Sequence, residues 1–172
     1  LMYASAGGFG DLVDRLLEAG AAVTLTDESG NSVLAHLPVA STERARIERR
    51  IAKLLNWPLE NGEGLQVLHY RPGAEYQPHH DYFDPAKAGT PTIVARGGQR
   101  VGTVVMYLNN PEKGGGTVFP DVALEVAPVK GNAVFFSYDR PHPSTRTLHG
   151  GTPVIAGEKW VATKWLREGR FV

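Results

Sequence analysis

The amino-acid sequence predicts a mostly β fold, a sandwich or jelly roll, with helices at its N-terminus. Helical periodicity is confined to residues 1–57, and short β-branched runs separated by turns fill residues 58–172. The 20 Gly and 12 Pro residues suit tight connections between strands. We expect one domain over residues 1–172, in which residues 1–57 are a helical support and residues 58–172 form the core.

Two helices are predicted in the N-terminal part. In the first, apolar residues recur at helical spacing over residues 12–17, and Gly20 follows as a C-terminal cap. The second begins near Ser41 or Thr42, whose hydroxyls suit a helix N-terminus, and Pro58 ends it. Both are expected to pack as a support on a sheet.

Strands are predicted after residue 64. The candidate segments are residues 65–70, 101–108, 122–126, 133–138, 147–154 and 158–166. A turn at residues 155–157 is expected to join the last two segments into a hairpin. Residues 84–99 are rich in Pro, Ala, Gly and Thr with little periodicity, which predicts a long loop.

The composition excludes several classes of function. Lys plus Arg and Asp plus Glu are both 18, and this neutrality argues against a nucleic-acid partner. The chain has no cysteine, so any metal must be held by His, Asp or Glu. No apolar run is long enough to span a membrane, and no export-signal pattern opens the chain. These features predict a cytoplasmic protein without a membrane partner.

The segment from residue 76 to residue 82 contains the first candidate metal ligands. Residues two apart on a strand face the same side, so His79 and Asp81 present an imidazole and a carboxylate together, while His80 faces away. These two groups are two thirds of the two-His, one-carboxylate set that holds non-haem iron. A His-x-Asp pair alone is a weak signal, so a third ligand is needed.

Four other histidines are candidates for that third ligand. His36 lies in the N-terminal region, and His142 lies between two prolines in a predicted loop. His69, on the preceding strand, is more typical of a core histidine. His149 differs from them because Lys159 follows it on the predicted hairpin.

The predicted hairpin brings His149 and Lys159 to one face. If the turn centres on Ala156, this face carries His149, Lys159, Thr163 and Trp165, and the other carries Trp160 and Lys164. The long side chains reduce the gap between His149 and Lys159 to about the length of a five-carbon diacid. A carboxylate of such a ligand would pair with a buried lysine. A solvated edge lysine fits the spacing equally well.

Several motifs follow one another in a fixed order between residues 57 and 168. They are Tyr70-x-x-Gly73-x-x-Tyr76-x-Pro78-His79-x-Asp81, Gly97-Gly98-Gln99-Arg100 leading into residues 104–109, Gly114-Gly115-Gly116-Thr117, residues 128–133, and His149-Gly150-Gly151 with Lys159 ten residues after the histidine. In this order they resemble the prolyl 4-hydroxylase family of Fe(II)- and 2-oxoglutarate-dependent dioxygenases.

The resemblance implies a double-stranded β-helix (jelly-roll) core buttressed by helices. It implies that His79, Asp81 and His149 bind Fe(II), and that Lys159 binds the distal carboxylate of 2-oxoglutarate. Further residues implied around the site are Tyr70 and Trp165 for 2-oxoglutarate, and Tyr76, Arg100 and Glu63 for the substrate. The implied reaction uses O2, with ascorbate as reductant. It hydroxylates a C–H bond, peptidyl proline to hydroxyproline, and releases succinate and CO2.

Four positions depart from the pattern of the family. Gly116 replaces the acidic residue usual in the Gly-Gly-Glu-Thr motif, and Thr152 stands where a cysteine is common. His80 occupies a position that is more often aromatic, and Arg167 stands where some members carry a histidine. None of these is an implied ligand of the metal or of 2-oxoglutarate. Arg167 and the predicted loop bear on the identity of the substrate.

Two other functions are compatible with the sequence. The first keeps the oxygenase chemistry and replaces the proline-containing peptide with a nucleobase or a free amino acid. The second is a jelly-roll module that binds a metal or a peptide without turnover. A zinc hydrolase is disfavoured, because no glutamate lies in a general-base motif such as His-Glu-x-x-His.

Overall fold

A computed structural model of the chain describes residues 42–171. The first predicted helix, over residues 12–17, and the candidate ligand His36 lie outside these residues. The division into a support over residues 1–57 and a core over residues 58–172 therefore stays a prediction.

Two α-helices occur in the described part of the chain. Helix α1 spans Thr42–Leu55, and helix α2 spans Thr90–Val94. Short 3-10 turns are Leu59–Asn61, Pro120–Val122 and Pro143–Thr145. Helix α1 confirms the second predicted helix, which begins at Thr42 and ends before Pro58. Residues 84–99 were predicted to be a long loop, and helix α2 corrects this for residues 90–94, where the backbone N–H of Ala95 bonds the carbonyl of Pro91.

Ten strands form the rest of the described fold. They are β1 (Gln66–Tyr70), β2 (Tyr76–His79), β3 (Arg100–Tyr107), β4 (Lys113–Gly114), β5 (Thr117–Phe119), β6 (Leu124–Val126), β7 (Ala133–Ser137), β8 (His149–Gly151), β9 (Val154–Ala156) and β10 (Lys159–Arg167). Sheet I has the order β1-β10-β3-β7, sheet II has the order β2-β8-β5-β6, and β4 pairs with β9. Every pairing is antiparallel. The predicted mostly β, jelly-roll class is confirmed.

Strand β10 alternates between two environments, as the sequence predicted. Its residues Lys159, Val161, Thr163 and Trp165 line a cavity between the sheets. On its other face, Trp160 and Ala162 form a buried cluster with Leu65 and Val67, against which Ile47 of α1 packs. The period of two residues along a strand therefore divides sheet I into a helix-covered face and a cavity face.

The predicted hairpin between residues 147–154 and 158–166 is wrong. Strand β8 pairs with β2 and β5 in sheet II, whereas β10 pairs with β1 and β3 in sheet I. Residues 155 and 156 belong to β9, which pairs with β4, and the turn falls at Gly157 with φ 72°. His149 and Lys159 consequently face each other from opposite sheets instead of lying along one ribbon.

Within residues 42–171, no helix combines the length and the apolar character that a membrane crossing requires. The cytoplasmic location stays a prediction.

Candidate metal centre

His79 and His149 are neighbours because their strands pair. Strands β2 and β8 run antiparallel with His79 opposite His149, and the centroids of the two imidazole rings lie 4.4 Å apart. Residues directly opposite each other in an antiparallel pair project their side chains to the same face. The sheet thus places two imidazoles side by side although 70 residues separate them in sequence.

Asp81 completes the set from the turn that follows β2. Its carboxylate is buried, with Oδ1 3.5 Å from His79 Nε2 and Oδ2 3.5 Å from His149 Nε2. The three candidate ligand atoms all lie within 4.8 Å of one another. A cation about 2.0–2.2 Å from nitrogen and oxygen ligands separates neighbouring ligand atoms by roughly 3 Å. The two imidazoles and the carboxylate therefore fit a single divalent metal.

The hydrogen bonds of both imidazoles fix the tautomer that a metal needs. Nδ1 of His79 lies 3.0 Å from the carbonyl oxygen of Gln77, and Nδ1 of His149 lies 3.0 Å from that of Thr147. A carbonyl oxygen only accepts, so each Nδ1 carries the proton and donates. Each Nε2 then presents its lone pair toward Asp81 and is available to a metal.

The charges at the site suit a cation. Burial alone would raise the pKa of Asp81, but contacts with His79, His149 and Thr103 outweigh it and lower the pKa to about 2. Burial lowers the pKa of His149 and favours the neutral imidazole. Burial opposes the charged form of His79 as well, yet the neighbouring Asp81 raises the pKa of that imidazole. The carboxylate is ionised at neutral pH and attracts a positive charge.

A cavity of about 120 Å³ opens beside the three candidate ligands, between the two sheets. Tyr70, Tyr76, Thr117, Lys159 and Trp165 contribute to its walls. Tyr70 lies directly opposite Lys159 in the pairing of β1 with β10, so the phenol and the amine share one end of the cavity. The structure thus brings together all the residues predicted for the metal and for 2-oxoglutarate.

Lys159 is a buried cation in the wall of the cavity. It is 4% exposed, and no carboxylate of residues 42–171 pairs with its amine. Its Nζ lies 5.3 Å from the ring centroid of Tyr70 and 5.9 Å from that of Tyr107. Burial lowers the pKa of Lys159 to about 8. An anionic ligand in the cavity would supply the missing counter-charge.

The three residues predicted to face the substrate divide into two groups. Tyr76 is 46% exposed, lines the cavity and packs edge-on against His79 with 4.4 Å between ring centroids. Glu63 instead receives two hydrogen bonds from Arg100, at 2.7 and 3.0 Å, and one from Arg167, at 2.6 Å. Arg100 lies beside the candidate metal ligands, with Nη1 4.0 Å from Asp81 Oδ1.

Two alternative histidine ligands are excluded by their positions. His69 stacks on Trp160 with 3.9 Å between ring centroids, and its Nε2 lies 2.7 Å from Glu158 on the helix-covered side of sheet I. Nδ1 of His142 accepts a hydrogen bond from the backbone N–H of Ser144 at the start of a 3-10 turn. Neither imidazole belongs to the His79, Asp81, His149 group.

Sequence reasoning missed several buried hydroxyl groups around the site. Thr103 Oγ1 donates to Asp81 Oδ2 at 2.7 Å, and the Tyr107 hydroxyl donates to Thr117 Oγ1 at 2.8 Å below the cavity. Thr103 and Tyr107 stand four residues apart in the β-branched run of β3, which reads as an ordinary buried strand. Only strand alternation, with Val105 between them on the cavity face, carries a signal.

Comparison with known proteins agrees with a metal centre at these residues. Residues 65–167 match the family model of the 2OG-Fe(II) oxygenase superfamily. Among curated proteins of Arabidopsis thaliana, probable prolyl 4-hydroxylase 8 is 45% identical over 141 residues, which are 70% of this chain and 47% of that protein. Prolyl 4-hydroxylase 5 is 42% identical over 147 residues, 73% of this chain and 48% of that protein. The chain spans about half the length of these relatives.

A solved structure resembles the chain over most of both molecules. The viral collagen prolyl hydroxylase vCPH from Paramecium Bursaria Chlorella virus-1, in its 2OG complex, aligns with a TM-score of 0.63 and 33% identity, covering 76% of this chain and 75% of that one. Residues 65–167, which match the family model, include both sheets and the three candidate metal ligands. From its sequence, its fold and its His79, Asp81, His149 centre, the chain belongs to the prolyl 4-hydroxylase family of the 2OG-Fe(II) oxygenase superfamily.

Proposed function

We propose that the chain hydroxylates peptidyl proline with Fe(II), 2-oxoglutarate and O2, and releases succinate and CO2. One observation carries the proposal. Two imidazoles and a carboxylate within 4.8 Å of one another border a cavity whose wall holds a buried lysine, and no carboxylate among residues 42–171 pairs with that lysine. This pairing of a metal site with a cationic pocket suits a small dianion that must reach the metal and the lysine together.

In this proposal His79, Asp81 and His149 hold the iron. Iron(II), when bound, supplies the redox chemistry by which O2 converts 2-oxoglutarate to succinate and CO2 and oxidises a C–H bond. The chain holds both Nε2 lone pairs toward the site through the backbone carbonyls of Gln77 and Thr147. Three protein ligands leave further coordination positions free for small molecules.

Lys159 is proposed to bind the distal carboxylate of 2-oxoglutarate. Its amine lies in a region from which most water is excluded, where a charge-assisted contact is stronger than in solvent. Tyr70, opposite it across the strand pair, supports the same carboxylate, and Trp165 forms the adjoining wall. The carboxylate restores the protonated state that burial disfavours at the lysine.

The substrate side is proposed to contain Tyr76, Arg100 and Glu63. Proline-rich peptides are extended before binding and dock on exposed aromatic rings. Tyr76 offers such a ring at the edge of His79. The Glu63–Arg100 pair lies on the Asp81 side of the metal centre. There the guanidinium would donate to, and the carboxylate would accept from, the backbone of a bound peptide.

The test is turnover of 2-oxoglutarate by the purified, iron-loaded protein over a library of proline-containing peptides, with ascorbate as the proposed reductant. We expect succinate in proportion to peptide that has gained one oxygen atom, measured by mass spectrometry. His149→Ala, which removes one ligand, is the blank, and His142→Ala, in the exposed 3-10 turn, is the matched control that retains activity. Absence of succinate with every peptide in the library would overturn the proposal.

A further inference from the structure

A chain of buried hydroxyl groups lies behind the carboxylate of Asp81. Thr103 Oγ1 lies 2.7 Å from Asp81 Oδ2 and 3.0 Å from the hydroxyl oxygen of Tyr138. Thr103 is 0% exposed, and both Asp81 and Tyr138 are buried. Water therefore cannot replace either hydroxyl without a rearrangement of the core.

The direction of these hydrogen bonds follows from proton counting. An ionised carboxylate only accepts, so the single hydroxyl proton of Thr103 points at Asp81. Thr103 Oγ1 then has lone pairs but no proton for Tyr138, and the phenol must donate to it. Burial raises the pKa of Tyr138, so this donor keeps its proton at physiological pH. The order is Tyr138 to Thr103 to Asp81.

Thr103 is a rigid anchor, whereas Asp81 is not held by a strand. Strand β2 ends at His79, and no ladder pairing continues to residue 81. Thr103 lies in the middle of sheet I, paired with Trp165 on one side and Phe136 on the other. The Thr103 hydroxyl therefore fixes the carboxylate of Asp81, in the turn after β2, relative to the central strand β3 of the opposite sheet.

We propose that Thr103, oriented by Tyr138, is a positioning residue that fixes the carboxylate of Asp81 for metal binding. The bond to Thr103 sets the rotation of the carboxylate, so that Oδ1 faces His79 and Oδ2 faces His149. Partners that hydrogen-bond metal ligands in this way contribute about 10- to 100-fold to metal affinity. This inference rests on the metal-binding role proposed for Asp81.

The experiment measures Mn²⁺ affinity of the purified protein by isothermal titration calorimetry, without 2-oxoglutarate or peptide. Thr103→Val keeps the shape and removes the hydroxyl, and we expect it to weaken Mn²⁺ binding about 10- to 100-fold. Thr103→Ser keeps the hydroxyl and is expected to restore affinity to within about threefold of the unmodified protein. Tyr138→Phe removes the donor to Thr103 and is expected to weaken binding about two- to tenfold.

The matched control is Thr90→Val, a buried threonine whose hydroxyl bonds the backbone carbonyl of Asp84 and not a candidate metal ligand. It is expected to shift the thermal unfolding midpoint as Thr103→Val does, with unchanged Mn²⁺ affinity. Unchanged Mn²⁺ affinity in Thr103→Val, or equal loss in Thr103→Ser and Thr103→Val, overturns the inference alone. If Thr103→Val does not fold, Tyr138→Phe is the deciding variant. A Mn²⁺ affinity of Tyr138→Phe equal to that of the unmodified protein would overturn the inference. An unmodified protein that binds no Mn²⁺ overturns the proposed function as well.

Discussion

Two buried lysines on β10 differ because their neighbours differ. Lys159 faces the cavity and has no acidic partner in the described part of the chain, whereas Lys164, 3% exposed, donates to Glu48 of α1 at 2.7 Å. An unpaired buried charge is unfavourable, and a partner of opposite charge offsets its desolvation cost. The residue numbers, five apart, place the two amines on opposite faces of the strand. The amine of Lys159 therefore borders the cavity, whereas the amine of Lys164 joins β10 to α1.

Replacement of Lys159 by Met is expected to weaken 2-oxoglutarate binding to the metal-loaded protein by about 30-fold or more. The reason is that loss of one partner of a buried charge pair costs about 2–5 kcal/mol. Mn²⁺ affinity measured without 2-oxoglutarate is expected to stay unchanged, since the lysine is not a ligand. Lys164→Met is the matched control and retains 2-oxoglutarate affinity. Equal 2-oxoglutarate affinity in Lys159→Met and the unmodified protein would remove the lysine from the binding site.

The affinity for 2-oxoglutarate is also expected to fall at alkaline pH. Burial lowers the pKa of Lys159 to about 8 from its ordinary value of 10.5. A carboxylate needs the protonated amine, so affinity is full below pH 8 and falls about tenfold per pH unit above it. Calorimetry of the Mn²⁺-loaded protein between pH 7 and 9.5 measures this. Lys159→Arg, whose guanidinium stays charged, is expected to show a flat profile, and a flat profile in the unmodified protein would contradict the account.

The same lysine makes stability depend on pH in the ligand-free protein. Between pH 8 and 10.5 the unfolded chain binds a proton at Lys159 that the folded chain has released. Below pH 8 the burial of the charged lysine lowers the free energy of unfolding. This destabilisation is relieved as pH rises from 8 to 10.5. Lys159→Met is expected to unfold at a higher temperature than the unmodified protein at pH 7, with the difference shrinking toward pH 10.

At the scale of elements, the side chain of Glu125 fills the space beside Gly116. A side chain added at Gly116 would meet the carboxylate of Glu125, which reaches across from β6. Thr152 Oγ1 lies 3.4 Å from the same carboxylate and 3.4 Å from the carbonyl oxygen of Gly116. Two departures from the family pattern, Gly116 and Thr152, thus surround one carboxylate supplied by a neighbouring strand.

Substitutions at Gly116 and Glu125 are expected to have coupled effects on the free energy of unfolding. Gly116→Glu brings a second carboxylate against Glu125 and is expected to lower the free energy of unfolding, and the double variant with Glu125→Gly is expected to recover most of it. Contacting residues couple by about 0.5–3 kcal/mol. Urea unfolding of the four proteins gives the coupling energy. Additive effects of the two substitutions would show that Glu125 does not occupy this space.

Helix α1 is tied to sheet I through a buried ion pair. Lys164→Met leaves Glu48 without its 2.7 Å partner, and removal of one member of a buried pair costs about 3–5 kcal/mol. The low end is expected here, because Arg44 Nε remains 3.6 Å from Glu48. Urea unfolding measures the loss, and Lys53→Met on the exposed side of α1 is expected to stay within about 0.5 kcal/mol. Equal stability of the two variants would mean that the pair does not hold the helix.

What the sequence predicts at this scale is the pattern along one element. The alternation of β10 and the extent of α1 follow from period and breaker residues, and both are confirmed. The predicted hairpin of β8 with β10 is wrong because each strand has other partners. Strand β8 pairs with β2, and β10 pairs with β1 and β3. Only the tertiary fold decides between these pairings and the local one. Strand register between distant segments leaves no local signal.

At the scale of the whole molecule, the site exists because two sheets face each other. Sheet II carries His79 and His149, and sheet I carries Lys159 and the hydroxyl of Thr103. The grouping of His79, Asp81 and His149 was predictable from the resemblance to the family's ordered motifs, and the structure brings the three side chains within 4.8 Å of one another. Thr103 was not predictable, because its role depends on a distance across the sandwich that no sequence spacing encodes.

The most direct test of the central claim is anomalous diffraction from a crystal of the protein with Mn²⁺ and 2-oxoglutarate, kept without O2. The account predicts one anomalous peak about 2.0–2.2 Å from His79 Nε2, His149 Nε2 and an oxygen of Asp81, with a 2-oxoglutarate carboxylate against Lys159 Nζ. A peak held by other residues, or a 2-oxoglutarate molecule whose carboxylates both lie away from Lys159, would contradict it.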